Sequence, residues 1–171
     1  MAGGIMITFR SRSDDSAERH GINPSEAPVV AVVSPKGGNG KTTVSSNLAV
    51  ALAHRTDSVI IDLDVHFGDV QYALRMCPAH RLDDLVDADS RRDPMSMLST
   101  HPSGLDVLCA PSDPVAADRM SVGDAFGVVD RIIAANRPGI HDTAGGISNC
   151  SLGALDRATR VVMVCGTDVP S

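Results

Sequence analysis

The chain has 171 residues, 43% hydrophobic and 21% charged, which is the balance of one soluble globular domain and excludes a disordered or fibrous chain. Only 2% are aromatic, with three Phe, one Tyr and no Trp, so a platform of stacked rings for single-stranded nucleic acid is excluded as well. Fifteen Lys and Arg against 21 Asp and Glu leave a net charge of -6, the wrong sign for a surface that follows a phosphate backbone along its whole length.

In chain order, residues 1–27 are polar and carry no sustained apolar period, so a flexible leader is expected, with order beginning at Pro28. Val29-Val30-Ala31-Val32-Val33 is a short, β-branched run, as in a strand buried on both faces. A Gly-rich turn, Ser34 to Gly40, follows at once. From Lys41 the period changes: Val44, Leu48 and Leu52 recur every fourth residue, with Ala49, Ala51 and Ala53 between them, predicting a helix that ends near His54. Ser58-Val59-Ile60-Ile61-Asp62-Leu63 reads as a second buried strand. A strand, a short-linked helix and a strand close as a parallel crossover, so the chain predicts an α/β sheet.

Short helices are predicted over 69–74, 81–86 and 93–98, divided by Pro78 and by Ser90-Arg91-Arg92. A third strand is predicted over 105–110, between Gly104 and Pro111. Val122, Phe126, Val129, Ile132 and Ile133 repeat at helical spacing within 121–136. Ile140-His141-Asp142 is a poor strand by itself, whereas 161–165 is a good one. Cys77, Cys109, Cys150 and Cys165 form no C-x-x-C pair and read as reduced thiols. No apolar run approaches the ~20 residues needed to span a bilayer, and the start lacks the order of a secretory signal, so a cytoplasmic protein is expected.

The chemistry is concentrated in Ser34-Pro35-Lys36-Gly37-Gly38-Asn39-Gly40-Lys41-Thr42-Thr43, placed between the first strand and the first helix. A phosphate cradle needs inward-turned backbone N–H groups, a helix N-terminus, a Lys for the β and γ phosphates and a hydroxyl for Mg²⁺. Gly37, Gly38, Asn39 and Gly40 supply the loop, Lys41 the charge, Thr42 the metal hydroxyl and Thr43 a hydroxyl for the α phosphate. A dinucleotide fingerprint is partly imitated by Gly38-Asn39-Gly40 with Asp62 about twenty residues on. It fails at its third glycine, where Thr43 stands.

Lys-Gly-Gly-x-Gly-Lys-Thr-Thr resembles the deviant Walker A loop of the MinD/ParA superfamily. That resemblance implies an α/β, P-loop NTPase-like three-layer fold with a mostly parallel sheet, ATP and Mg²⁺ as cofactors, and an ATP-dependent homodimer. Lys36 would reach across the dimer to the partner's phosphates, as an arginine finger does. Asp62 and Asp64, two residues apart at a strand end, resemble the first switch, with Asp62 in the metal shell and Asp64 orienting the attacking water. Asp142-Thr143-Ala144-Gly145-Gly146 resembles, more weakly, the Walker B strand end, with Asp142 holding Mg²⁺ through water. The implied sets are Lys36, Lys41 and Asp64 for catalysis and Thr42, Asp62 and Asp142 for metal.

Asp62-Leu63-Asp64-Val65-His66-Phe67-Gly68-Asp69-Val70 is similar to the D-L-D-x-x-F-G-D-V segment of the CpaE/TadZ branch, ATPases that localise Flp-type pilus secretion machinery. Pieces at 103–108, Ala110-Pro111 and Thr167-Asp168-Val169-Pro170-Ser171 resemble it too. A DNA-partitioning or septum-site ATPase is the alternative within the superfamily. Relatives continue past the point where Pro170 could open a helix, so 28–171 is expected to be the N-terminal, phosphate-binding portion of a larger ATPase, incomplete at its C-terminus.

Overall fold

The computed structural model describes residues 5–11 as backbone, and residues 27–87 and 92–166 in full. Seven strands form one sheet: β1 (Ile5–Ser11), β2 (Val29–Val33), β3 (Val59–Leu63), β4 (Ser99–Thr100), β5 (Asp106–Leu108), β6 (Gly139–Thr143) and β7 (Arg160–Gly166). Their order across the sheet is β1-β7-β2-β6-β3-β5-β4. The five inner strands run parallel, and β1 and β4 are antiparallel edges. The helices are α1 (Lys41–Ala53), α2 (Val70–Ala73), α3 (Leu82–Asp87), α4 (Pro114–Arg119), α5 (Val122–Ile133) and α6 (Asn149–Arg157), with a 3₁₀ turn at Pro94–Met97.

Alternation along the strands divides the core into two. Val32, Ile60, Ile140, Val162 and Val164 face α1 and α2, together with Ala49, Val70 and Leu74. Ala31, Val33, Val59, Ile61 and Leu63 face α3, α5 and α6, where Leu82, Phe126, Val129 and Ala154 close over them. The three-layer α/β architecture expected from the sequence is therefore the observed one.

Several elements differ from their sequence reading for identifiable reasons. The stretch read as a flexible leader contains β1, which pairs with β7 over seven residues. Without β1 the outer edge of β7 would leave backbone groups unpaired, and that demand is tertiary and invisible locally. Residues 12–26, the pair Ser90-Arg91 and the segment 167–171 lie outside the described residues. In α1 the most buried positions are Lys41, Ser45, Ser46 and Ala49, while Val44, Leu48 and Leu52 lie at the flanks. Small side chains on the inward face let this helix approach the central strands closely.

The weak strand at Gly139–Thr143 is wholly buried because it lies between β2 and β3, which supply its apolar surroundings. Neither α4 nor α6 is among the elements predicted from local patterning. Ser148 caps α6 in a reciprocal box with Ser151, and Asp113 caps α4 through the N–H of Ala116.

Where α6 crosses α5, a Cβ at Gly153 would stand 2.3 Å from the Phe126 ring. The Arg157 guanidinium also lies over that ring, 4.3 Å from its centroid, and is itself bonded to both Asp130 oxygens. Gly153→Ala gains about 1 kcal/mol of helix propensity but overpacks this contact, for a net loss of about 1–2 kcal/mol. A midpoint several degrees lower in thermal unfolding is the expected result, and a midpoint equal to or above the parent's refutes the packing argument.

Candidate phosphate-binding site

The loop between β2 and α1 lies at the C-terminal end of the central strands. Gly38 (φ 78°) and Gly40 (φ 84°) hold left-handed backbone that other residues rarely adopt, and Gly40 directly precedes α1. Ser34 organises the turn. Its Oγ donates to the Lys36 carbonyl (2.8 Å) and accepts from the Asn39 side-chain amide (2.9 Å). Among the described residues, the N–H groups of Gly37, Gly38, Gly40 and Lys41 find no acceptor. Converging free donors at a helix N-terminus make a cradle for an anion. Lys41 opens α1 and is only 7% exposed, whereas Lys36 is exposed on the loop.

The carboxylates come from neighbouring strands. Asp62 on β3 and Asp142 on β6 are in register, so both side chains leave the same face of the sheet, towards α1. Both are buried, at 1% and 0% exposure. Asp62 Oδ1 accepts the Asp64 N–H (3.1 Å) and Oδ2 accepts the Val70 N–H (3.1 Å), so Asp62 shapes the loop that carries Asp64. Burial, reinforced by the neighbouring Asp142 charge, holds its carboxyl well above the usual carboxylate range despite those two bonds.

Asp142 differs, because neither of its oxygens has a hydrogen-bond partner among the described residues. Burial pushes it up to about 6, opposed by the nearby hydroxyls of Thr42 and Ser45 and by the Lys41 ammonium. The Ser45 hydroxyl donates instead to the Thr42 carbonyl (3.1 Å). A buried, orphaned carboxylate beside a Thr hydroxyl offers oxygen donors suited to Mg²⁺.

Asp64 is half-buried, and its Oδ1 accepts the Phe67 N–H (3.3 Å). Its carboxyl is raised by burial and pulled back by that bond and by Lys41. Gly68 is required in this loop, since a Cβ there would lie 2.3 Å from the Ala110 Cβ and 2.6 Å from Asp62 Oδ2. The segment after β6 rests directly on the phosphate loop. The Gly146 N–H donates to the Ser34 carbonyl (2.9 Å), and a Cβ on Gly145 would lie 2.7 Å from Gly37 backbone atoms.

The fold thus gathers Lys41, Thr42, Asp62, Asp64 and Asp142 at one end of the sheet, with Lys36 and Thr43 at its exposed rim. Ser34 and Ser45 were not singled out from sequence. Ser45 lies three residues after Thr42 on the helix, a spacing that could have found it. His141 points to the opposite face from Asp142 and is fully buried, with no hydrogen-bond partner given for either ring nitrogen among the described residues. Burial lowers it to about 4, so it is a neutral packing element.

The α/β fold is that of P-loop NTPase structures. A family model described as ParA, NUBPL iron-transfer P-loop NTPase, matches residues 26–102. The antiactivator FleN of Pseudomonas aeruginosa is 31% identical over 147 residues, covering 84% of this chain and 51% of that protein. The structure of a ParA family ATPase from Chlorobium tepidum superposes with a TM-score of 0.68 at 20% identity, covering 77% of this chain and 57% of that one. The septum site-determining protein MinD of Pyrococcus horikoshii, complexed with Mg-ADP, gives 0.67 at 21% identity, covering 77% and 55%. These matches support a ParA/MinD superfamily P-loop NTPase, and the fold is the α/β fold of that group. The chain spans about half the length of the curated relatives it matches.

Proposed function

We propose that residues 28–171 are the N-terminal, phosphate-binding portion of a cytoplasmic Mg-ATP-dependent ATPase that works as a dimerisation switch. The observation that carries this reading is Asp142, buried and unpartnered beside Lys41 and Thr42 at the mouth of the glycine loop. The solved MinD relative holds Mg-ADP, in keeping with the same cofactors here.

In this reading the free N–H groups of the loop and the Lys41 ammonium bind the β and γ phosphates, and Thr43 meets the α phosphate. Thr42 and Asp142 would hold Mg²⁺, Asp142 through water, and the ion would supply neutralisation of phosphate charge. Asp62 completes the surroundings of the metal by fixing the Asp64 loop. Asp64 keeps Oδ2 free of hydrogen bonds among the described residues, so it can orient the attacking water. Exposed Lys36 would neutralise charge on the phosphates of a second subunit.

That last role is separable from binding. With Lys36→Ala, ATP affinity should stay within about threefold, while ATP-dependent dimerisation and turnover of the full-length protein fall by about 100-fold. Sedimentation with Mg-ATP and a phosphate-release assay read the two effects, and dimerisation and turnover at parental levels would remove Lys36 from the mechanism.

For the biological role, the segment 62–70 supports the CpaE/TadZ branch, with partners in an Flp-type pilus secretion system. A tagged protein is expected to form discrete foci that disperse with Lys41→Ala, and deletion should remove surface pili. ATP-dependent, salt-sensitive DNA binding with unaffected pili would support the partitioning alternative in its place.

A further inference from the structure

We propose that Arg81, which lies outside the phosphate loop and its acids, is a positioning residue for the loop that carries Asp64. The consequence for catalysis rests on the ATPase reading above; the restraint on the loop does not.

Arg81 stands just before α3, and its backbone is fixed at the end of β5. It forms a parallel bridge with Cys109, its N–H donates to Asp84 Oδ2 (2.9 Å), and the N–H of the following Leu82 donates to the Cys109 carbonyl (3.0 Å). From that base the half-buried side chain reaches two other segments. Nη2 donates to Gln71 Oε1 on α2 (2.6 Å), and Nη1 donates to the carbonyl of Ala110 (3.3 Å), a residue buried after β5. One planar fork thus joins α2 to the end of β5 through two nitrogens, a geometry that the compact ammonium of a lysine does not match. With only four residues, α2 is too short to hold itself, so such ties decide where it sits.

The restraint leads directly to the acids. Gln71 follows Val70, which is fully buried and whose N–H donates to Asp62 Oδ2 (3.1 Å). The same loop rests on Ala110, since a Cβ at Gly68 would stand 2.3 Å from the Ala110 Cβ and 2.6 Å from Asp62 Oδ2. Arg81 therefore holds both sides of one contact, Ala110 by its carbonyl and the loop by Gln71. Among the described residues, the hydrogen bonds of Asp64 run to Asp62 and to Phe67. Its position is thus inherited from the anchorage of the loop at Asp62 and α2. Misplacing a group that orients a nucleophile costs rate, whereas the phosphate cradle belongs to a different loop that Ser34 ties together.

Amide hydrogen exchange in the nucleotide-free chain reads the restraint without any turnover. Arg81→Ala should speed exchange at Asp64 and Val70 by about tenfold or more and leave α1 and β2 as in the parent. Gln71→Ala, which removes one acceptor and leaves the β5 side untouched, should act in the same direction, and the two changes together should do no more than Arg81→Ala alone. Arg81→Lys should recover less than about half of the lost protection. Parental exchange at Asp64 and Val70, additive effects, full recovery by lysine, or a rise spread equally through α1 and β2 would overturn the proposal. Turnover is read separately in the full-length protein, where Arg81→Ala should lower kcat by about tenfold with KM for ATP within about twofold. No hydrolysis by the parent counts against the ATPase reading alone, whereas a raised KM with kcat unchanged counts against Arg81 as the residue that places Asp64.

Discussion

Replacing Lys41 by Ala is expected to raise the dissociation constant for ATP by about 100-fold or more, the equivalent of roughly 3 kcal/mol. Lys41 is 7% exposed at the first position of α1, so its ammonium meets a phosphate with little water to screen it. The backbone cradle survives the substitution, because Gly38 and Gly40 set the loop conformation and Ser34 ties it together. A weak residual affinity from the free N–H groups should therefore remain. Calorimetric titration with ATP and Mg²⁺ reads the effect directly, and an affinity within threefold of the parent's would show that phosphates are bound elsewhere. Removing the lysine also deprives Asp64 and Asp142 of a favourable charge, so the nucleotide-free variant should melt at a lower temperature.

Asp142→Asn should act in opposite directions on stability and on metal use. In nucleotide-free protein kept in EDTA, Asp142 titrates at about 6, above the 3.8 of an unperturbed aspartate. The folded state therefore holds its proton more tightly than the unfolded chain does. The associated stability is fully present below about pH 4 and is lost as pH rises through about 6, a difference of roughly 3 kcal/mol. Asp62 is displaced in the same direction and steepens the trend. Asn carries no charge to desolvate, so at pH 7.5 the variant should melt about 3–8 °C higher than the parent. It should gain less than the parent on acidification from pH 7.5 to pH 4.5, the remaining gain being carried by buried Asp62. Mg²⁺ should then no longer tighten nucleotide binding. A parental Mg²⁺ requirement would take Asp142 out of the metal site, and a lower melting temperature at pH 7.5 would mean that its charge is compensated in the folded protein.

Much of this arrangement was legible because it is encoded locally. The β-branched run at 29–33, the Gly loop and the change to helical period at Lys41 announce a strand, a phosphate turn and a helix in consecutive residues. What was not legible depends on neighbours distant in sequence. Gly139–Thr143 has too few apolar residues to declare itself, yet it lies between β2 and β3, where any residue is buried, even His141. Ser45 and Ser46 look like solvent positions in a list of helical residues, and they are inward because α1 packs closely on the sheet. β1 arises from the open edge of β7, more than 140 residues away in the chain.

The sequence by itself determined the kind of chemistry, because a glycine turn, a lysine and a hydroxyl at the start of a helix do their work within ten residues of one another. It also nominated Asp62, Asp64 and Asp142 by resemblance. The tertiary structure alone decided how those acids divide their tasks. Register between β3 and β6 sets Asp62 and Asp142 side by side on one face, backbone amides satisfy the first, and the second is left buried without a partner. Strand pairing sets register, register sets which carboxylates share a face, and burial on that face leaves Asp142 without a partner among the described residues.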